Sequence, residues 1–322
     1  MNTREKNIII TVSVIFCIIL CVVEIMFQFS APQKNAGQDR VVMNLGTTDQ
    51  QFIQALKAQG YIKNVYAFNF VLWYKHETGN IKPGAYLISK NMNAWQFANQ
   101  VVNHPYQKWV VIPEGLRDEE IAEIVEQTLN WNDTQKNNFL SSSTEGHMFP
   151  DSYLLNVTDT GADVAKAMED QFNEQTATLF SEARKNNIRN DTLITLASLV
   201  QREAANNQDM PLIAEVIWNR LLANMPLQID SSIQYALGKS GDWWGSVTPS
   251  DYTINSPYNT YTHTGKPPAP ICDPGIAAIN AIINPAVGNY LYYLHDSSGQ
   301  IHLANTYAEH QANIKKYLQN NE

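Results

Sequence analysis

An apolar run near the N-terminus constrains this chain more than any other feature. From Ile8 to Phe29 the residues are almost entirely apolar, with Glu24 as the charged exception. About 20 helical residues cross a hydrocarbon layer of about 30 Å, so this run can span a membrane once. The competing interpretation is a cleaved signal peptide, whose apolar core is usually about 7–15 residues and ends in a small-x-small site. Because the run is longer and closes without such a site, the sequence favours an uncleaved anchor.

The charges that flank the run indicate its orientation only weakly. Basic residues stand on both sides of it, Arg4 and Lys6 before and Lys34 and Arg40 after. A long domain that follows a first span usually translocates with it. We therefore expect a single-pass protein of the cell membrane, with residues 1–7 in the cytoplasm and the bulk of the chain extracytoplasmic.

The composition disfavours several classes of function. Hydrophobic residues make up 44% of the chain and charged residues 16%, which is ordinary for a folded protein. The formal net charge of −9 disfavours binding to nucleic-acid phosphates. Cys17 and Cys21 lie in the apolar run and Cys272 stands alone, so no disulfide framework and no zinc spacing is present in the sequence. We expect neither a metal nor another cofactor.

The remainder of the chain divides by its patterns into a linker and a first folded part. Residues 30–40 are polar, contain Pro and Gly, and predict a linker. Residues 41–105 predict a small module of βα type. Its predicted elements are a strand at Val41–Leu45, a helix capped by Thr48 that ends at Gly60, a helix near 94–102, and between them strand and turn material at Trp73, Tyr74, Gly84, Tyr86, Leu87 and Ile88.

Residues 106–322 predict a larger part in which helices predominate. The predicted elements are a strand at 108–113, a helix that contains Ile121 and Leu129, helices at about 161–186, 191–205 and 209–224, a short helix at 274–283, strands near 290–294 and 301–303, and a helix that begins near Tyr307. The stretch after Gly238 is rich in loops.

The helix predicted at 191–205 carries the strongest candidate for chemistry. Its polar stripe consists of Asp191, Thr195, Ser198 and Arg202. Glu203 lies off that stripe, on the apolar side, where we expect desolvation to raise the pKa of the carboxyl group and to suit it for general acid catalysis. The alternative is a structural carboxylate paired with Arg220 or another cation, and the pattern alone leaves both open.

Four blocks of sequence, in order, resemble the MltG (YceG-like) family of endolytic murein transglycosylases. The blocks are Ile112–Gly115 with Glu145–Tyr153, then Leu196–Ala204, then Asn219–Leu221 with Met225–Tyr235, and finally Ser256–Tyr261 through Pro267 and Pro268 to Ala308–His310. The resemblance covers most of residues 41–317. It implies an α+β fold with one N-terminal transmembrane helix (8–29), a small LysM-like subdomain (41–105) and a mixed α/β catalytic domain (106–322).

The resemblance also implies a reaction. The acid/base glutamate of the family matches Glu203, and Gln201 stands where many relatives carry a second acidic residue. The glutamic acid would protonate the glycosidic oxygen of a MurNAc–GlcNAc bond. Its carboxylate would then take the proton from the C6 hydroxyl of the same sugar, which closes a 1,6-anhydro ring. Because the substrate supplies its own nucleophile, no second catalytic carboxylate is required.

Further residues in the matching blocks are predicted to bind the substrate. They are Glu145, Asp151, Tyr153, Gln228, Asp230, Asn259, Tyr261, Thr306 and Glu309. Side chains of these types also commonly bond nearby backbone, so a loop-holding role is the alternative for each. The chain departs from the family pattern at His147, where Tyr is common, and at Cys272-Asp273, where a small residue and Asn are frequent. Trp243 and Trp244 are either a sugar-stacking surface or buried aromatics.

The resemblance implies partners as well as a substrate. The substrate would be nascent peptidoglycan glycan strands, whose elongation the cut terminates, and the protein partners would be glycan polymerases and transpeptidases of the wall-synthesis machinery. Two alternatives stay open: an inactive, membrane-tethered scaffold that binds peptidoglycan, and a muramidase that hydrolyses the bond with Glu203 and Asp230 as a pair of carboxylates.

Overall fold

The computed structural model describes residues 2–319 and begins with a long exposed helix. Helix α1 (Thr3–Phe29) is capped at Asn2, whose side chain accepts from the Glu5 amide while the Glu5 side chain accepts from that of Asn2. A stretch of 18 residues within α1 has a mean hydropathy of 3.0 and contains no buried residue. By length and composition α1 is therefore able to cross a membrane. Phe29 at its end packs against a folded core.

The rest of the chain divides into two compact units. Unit 1 consists of the residues up to Trp109 together with Tyr153–Thr158, and unit 2 consists of Val110–Ser152 and the residues from Asp159 onward. The short return of the chain to unit 1 is a strand that the sequence patterns had not predicted.

Unit 1 is built on an antiparallel sheet with helices between its first strands. Its elements are β1 (Asp39–Met43), α2 (Asp49–Ala58), α3 (Val65–Tyr74), β2 (Gly84–Ile88), α4 (Ala94–Asn103), β3 (Gln107–Val111) and β4 (Ser152–Asn156), in the sheet order β1-β2-β3-β4. By the same division Val110 and Val111 of β3 and Ser152 of β4 are counted with unit 2. Thr48 caps α2 as predicted. The strand material predicted at Gly84, Tyr86, Leu87 and Ile88 is confirmed as β2, but the same prediction is wrong at Trp73 and Tyr74, which belong to α3. Apolar residues surround α3 on all sides, so its sequence shows little contrast between faces.

Unit 2 is mainly helical. Its elements are α5 (Asp118–Leu129), α6 (Asp133–Ser142), α7 (Gly161–Lys185), α8 (Asn190–Glu203), α9 (Met210–Leu222), α10 (Asp230–Leu237), a 3-10 turn (Asp251–Thr253), α11 (Ile276–Ile283), the antiparallel pair β5 (Tyr292–His295) and β6 (Ile301–Ala304), and α12 (Tyr307–Tyr317). The predicted long helices, hairpin and loop-rich stretch are confirmed. Helices α6 and α10 were missed because α6 is polar and α10 is short.

Helix α8 is the centre of the core of unit 2, and its environment corrects the sequence argument. Every residue from Leu193 to Val200 is buried, so Thr195 and Ser198 of the polar stripe do not face solvent, whereas Asp191 at the start of the helix is exposed. Thr195 and Ser198 donate to backbone carbonyls within the helix, and Ser198 also accepts from the Ile271 amide. Polar side chains that bond backbone in this way are compatible with a dry interior. Glu203 is the last residue of α8 and is half-buried.

Candidate active site

A cleft of about 320 Å³ in unit 2 contains Glu203. Residues from several elements line it: Glu203 from α8, Arg220 from α9, Leu227, Gln228 and Asp230 before and at the start of α10, Tyr261 from the loop-rich stretch, Tyr292 and Tyr293 from β5, and Tyr307 and His310 from α12. Carboxyl groups, tyrosine rings and hydroxyls in one concave surface are suited to a sugar, which offers both hydroxyls and apolar C–H faces.

Two hydroxyl groups hold the carboxyl group of Glu203. Ser231 donates to Oε1 at 2.8 Å, and Tyr293 donates to Oε2 at 2.8 Å. Glu203 forms no ion pair with Arg220 or with any other cation among residues 2–319, so the structural pairing considered for it is not observed. A hydroxyl is both a donor and an acceptor, and the same contacts therefore accommodate the carboxylate and the carboxylic acid.

Tyr293 keeps its proton across the physiological range. Burial raises the pKa of its phenol well above the usual value, and the adjacent Glu203 raises it further. Desolvation and a nearby negative charge both disfavour the phenolate. Tyr293 is therefore a permanent hydroxyl beside Glu203 and not a competing base.

Arg220 supplies the positive charge of the cleft lining. Its guanidinium donates to the carbonyls of Leu291 at 2.6 Å and Leu227 at 2.7 Å, and it lies 5.0 Å from the ring centre of Tyr292. Burial lowers its pKa, yet arginine remains protonated in proteins. Because carbonyls satisfy its donors, the charge fixes the backbone around the cleft without neutralising Glu203.

Asp230 and Gln228 approach the same cleft from the segment before α10. Asp230 Oδ1 accepts from the Tyr261 hydroxyl at 2.5 Å, and burial, together with this contact, raises the pKa of Tyr261. Gln228 has a φ of +52°, a conformation in which a residue other than glycine is uncommon. Its amide donates to the Thr260 carbonyl at 3.0 Å. The cleft thus brings together Glu203, Gln228, Asp230 and Tyr261 of the predicted site residues.

The remaining predicted substrate contacts lie elsewhere. Asn259 is fully buried and its side chain bonds the backbone of Tyr252, Ile254 and Tyr261, which is the loop-holding role. Thr306 and Glu309 form the capping box of α12.

Two residues of the first block also lie outside the cleft lining. Asp151 is exposed and accepts from the side chain of Gln171 at 3.0 Å. Tyr153 lies on β4, in the segment of unit 1.

Glu145 belongs to a buried trio of carboxyl groups with Asp118 and Asp273. Oxygen atoms of the three lie within 4.8 Å of one another. Burial raises the pKa of Asp118 to about 6. Burial and the neighbouring acids raise the pKa of Glu145 and Asp273 well above the usual range. Asp273, at the position where Asn is frequent in the family, accepts from the Met148 amide at 2.7 Å.

Gln201 and the tryptophan pair have structural roles. Gln201 accepts from the Gly275 amide at the start of α11, so it serves the fold. The Trp244 indole donates to Glu120 at 2.8 Å, and the guanidinium of Arg202 covers its ring at 3.7 Å. Trp243 is half-buried as well. These contacts favour the packed aromatic interpretation over a sugar-stacking surface.

Sequence reasoning did not identify several residues of the cleft. They are Ser231, Tyr292, Tyr293, Tyr307 and His310. Ser231 directly follows Asp230 in a matching block, which is the available signal. Nothing in the local sequence of β5 distinguishes Tyr293 from its neighbours. His310 stacks on Tyr292 at 5.2 Å, and burial lowers its pKa, so it is neutral at physiological pH.

Comparison with known proteins identifies a family for this chain. The model of the YceG-like family matches residues 41–316. A Bacillus subtilis protein called endolytic murein transglycosylase is 31% identical over 318 residues, covering 89% of this chain and 87% of the relative. A Streptococcus pneumoniae protein of the same name is 27% identical and covers 85% of this chain, which spans 57% of that relative. The crystal structure of a YceG-like protein from Listeria monocytogenes has a TM-score of 0.62 and 25% identity, over 85% of this chain and 98% of that one. The chain belongs to the YceG-like family.

Proposed function

We propose that this protein is an endolytic murein transglycosylase. It cuts the MurNAc–GlcNAc bond of nascent peptidoglycan strands, leaves 1,6-anhydroMurNAc ends and so terminates strand elongation. The observation that carries the proposal is the placement of Glu203 in a tyrosine-lined cleft with both carboxyl oxygens bonded to neutral hydroxyls. Relatives that carry this name align over most of the chain.

Glu203 is the proposed acid and then the base. As the acid it gives its proton to the glycosidic oxygen, and the bond to the anomeric carbon breaks as positive charge develops on the sugar ring. As the carboxylate it removes the proton from the C6 hydroxyl, whose oxygen attacks the same carbon. The intramolecular hydroxyl has a high effective concentration, so no water molecule is activated. Ser231 and Tyr293 keep the carboxyl group in one orientation through both steps.

Asp230, Gln228 and Tyr261 are the proposed sugar-binding residues. The oxygens of Asp230 and the amide of Gln228 offer acceptors and donors at the edge of the cleft, and the tyrosine rings offer apolar faces. The short contact between Asp230 and Tyr261 fixes the carboxylate in place before the substrate arrives.

The domain limits and the location follow from the same proposal. We assign residues 41–105 to a LysM-like subdomain and 106–322 to the catalytic domain; the order of β1, α2, α3 and β2 supports the first assignment. Helix α1 anchors the protein in the cell membrane, with the catalytic domain on the extracytoplasmic side. Glycan polymerases and transpeptidases are the proposed partners because they make the strands that the enzyme cuts.

Mass spectrometry of the products tests the proposal. The full chain in detergent, incubated with polymeric peptidoglycan, is expected to release fragments whose MurNAc ends are lighter than reducing ends by one water. Glu203→Gln keeps the size and polarity of the side chain but cannot transfer the proton, so the rate should fall at least about a hundredfold. Glu169→Gln, on the exposed surface of α7, is the matched control and should retain full activity.

The products also distinguish the two alternatives. Reducing ends without the loss of water would identify a hydrolase, and Asp230, in the same cleft as Glu203, would then be the second carboxylate. An inactive scaffold would sediment with cell-wall material and make no new ends. Equal yields from the wild-type chain and Glu203→Gln would exclude Glu203 as the acid.

A further inference from the structure

Helix α3 is apolar on both of its faces. Its inner residues Ala67, Phe68, Val71 and Leu72 are buried in the core of unit 1. Its outer residues are large aromatics with a high exposed fraction: Tyr66 86%, Phe70 46%, Trp73 65% and Tyr74 62%. Positions three and four residues apart share one face of a helix, so the four rings form a single surface. A helix that is apolar all round is normally covered on all sides.

The exposed rings continue onto the neighbouring helix. Phe70 lies 5.7 Å from Trp73 and 6.4 Å from Tyr74, measured between ring centres. Tyr74 lies 5.4 Å from Trp95 of α4, which is 37% exposed. These five residues (Tyr66, Phe70, Trp73, Tyr74 and Trp95) are called the aromatic face below. A contiguous apolar surface of this kind on a folded unit normally marks a site of contact with a membrane, ligand or partner.

The aromatic face begins where α1 ends. The rings of Phe29 and Phe70 meet edge to face at 6.0 Å. The Lys63 ammonium lies 3.4 Å from the ring centre of Phe27 and donates to the Ser30 hydroxyl at 2.8 Å. Phe29 itself packs against the core of unit 1. The last turn of α1 is therefore fixed to unit 1 directly and not through a free linker.

A recess of about 540 Å³ joins the end of α1 to the aromatic face. It is lined by Met26 and Phe29 of α1, Phe70 of α3 and Trp95 of α4, together with polar groups such as Asn91 and Asn93. The combination of apolar side chains and amide groups in one recess resembles the boundary between acyl chains and lipid headgroups. The apolar run of α1 ends at Phe29, so this boundary falls at the level of the recess.

We propose that the aromatic face of unit 1 lies in the headgroup region of the bilayer that α1 spans. Tryptophan and tyrosine are enriched at that depth because their rings prefer the interface and their polar atoms remain hydrated. The Lys63 ammonium lies beside Phe27 at the end of the span, the level at which anionic headgroups attract a positive charge. The direct contact of Phe70 with the last residue of the span favours lipid over a glycan strand as the occupant. The proposal concerns the contact of unit 1 with the bilayer and is independent of which bond the protein cuts.

Fluorescence quenching by brominated lipids tests this contact. The full chain is reconstituted in nanodiscs whose phospholipids carry bromine near the headgroup end of the acyl chain, and tryptophan emission is compared with that in unbrominated nanodiscs. The wild-type chain should be quenched. The double variant Trp73→Phe and Trp95→Phe, which keeps aromatic rings at both positions, should lose most of the quenched component.

Trp109→Phe is the matched control. Trp109 lies in the same unit but on β3, where its indole donates to the Met43 carbonyl, and its removal should leave the fraction of quenched emission undiminished. Far-ultraviolet circular dichroism of each variant checks that the fold is kept. Quenching as strong in the double variant as in the wild type would overturn the proposal. The proposal would also be overturned if soluble glycan fragments changed the emission of Trp73 in nanodiscs while brominated lipid caused no quenching. That result would assign the aromatic face to the glycan.

Discussion

At the scale of single residues, the hydroxyls of Ser231 and Tyr293 decide how Glu203 is held. Each bonds a different oxygen of the carboxyl group, so rotation of the group would break both contacts. A carboxyl group that must give and then take a proton at two nearby oxygens benefits from a fixed orientation. Neither hydroxyl carries a charge that would bind the carboxylate permanently.

Removing the Tyr293 hydroxyl tests this arrangement. Tyr293→Phe keeps the buried ring and loses the donor to Oε2. A hydrogen bond to a charged group contributes about 1.5–3 kcal/mol, so we expect the turnover rate to fall about tenfold or more and the melting temperature to fall by a few degrees. Glycan cleavage rates and thermal unfolding measure the two effects. Tyr290→Phe, next to β5 and outside the cleft lining, is the control. An unchanged turnover rate for Tyr293→Phe would contradict the role given to this hydroxyl.

The buried acids Asp118, Glu145 and Asp273 make stability depend on pH. Their pKa values are raised in the folded chain, so the folded state binds more protons than the unfolded state above about pH 4. Stability is therefore lost as pH rises above about 4, through about 6 for Asp118 and through the raised pKa values of the other two. Asp273→Asn restores a neutral donor beside both remaining acids. It should raise the melting temperature at pH 8 by several degrees, for about 1–2 kcal/mol, and flatten the pH profile.

Asp273→Ala is the contrasting variant, because it also leaves the Met148 amide without its acceptor. We expect it to be less stable than the wild type at every pH. A melting temperature of Asp273→Asn below that of the wild type at pH 8 would contradict the account. A rise in the wild-type melting temperature with added calcium would instead mean that a cation balances the three carboxyl groups.

At the scale of elements, α12 completes the cleft by its position. It brings Tyr307 and His310 to the lining, while Thr306 and Glu309 close its N-terminal end as a capping box. Thr306 and Glu309 thus have a capping role in the fold, and we propose that any effect of theirs on substrate binding is exerted through α12. The capping box secures the first turn of α12, which contains Tyr307 and His310, beside β5 and β6.

Substitution of the cap tests that assignment. Thr306→Ala removes the side-chain acceptor of the Glu309 amide and should destabilise α12 by about 1 kcal/mol. Cleavage should then fall more steeply with temperature than in the wild type, whereas Thr306→Ser keeps the cap and should behave as the wild type does. Cleavage rates at several temperatures and thermal unfolding give the comparison. An equal loss in both variants would point to direct contact of the threonine side chain with substrate.

At the scale of the whole molecule, the cleft is formed entirely by residues of unit 2. Chemistry and anchoring are therefore separable. A chain that lacks residues 2–24 keeps Phe29 and its packing on the core of unit 1. We expect it to cleave soluble glycan strands within about threefold of the full chain, because the truncation leaves every residue of the lining in place.

The same truncation should abolish the effect on strand length in cells. An enzyme without its anchor is no longer concentrated beside the membrane, where new strands are made. The length distribution of glycan strands measures this effect, with the full chain and Glu203→Gln as references. If the truncated chain gave the same strand-length distribution as the full chain, anchoring would be dispensable.

The amino-acid sequence by itself determined the features that depend on local pattern. Hydropathy determined the span, helical spacing determined the long helices of unit 2, and the ordered blocks around Glu203 determined the family. Where a polar helix such as α6 or an apolar one such as α3 lacks a contrast between faces, periodicity has no signal, and the pattern failed. The polar residues of α8 were also misleading as a sign of exposure, because Thr195 and Ser198 are buried and their hydroxyls bond backbone carbonyls.

Only the tertiary structure decided which side chains meet. Tyr293 reaches Glu203 across 90 residues of chain and Tyr261 reaches Asp230 across 31, separations at which no local rule pairs residues. The tertiary structure also places the Asn259 side chain against loop backbone and Glu145 in a buried trio of carboxyl groups, although both residues lie in family blocks. Burial and contact at long range arise from packing of whole elements, and packing is a property of the folded chain rather than of any segment of it.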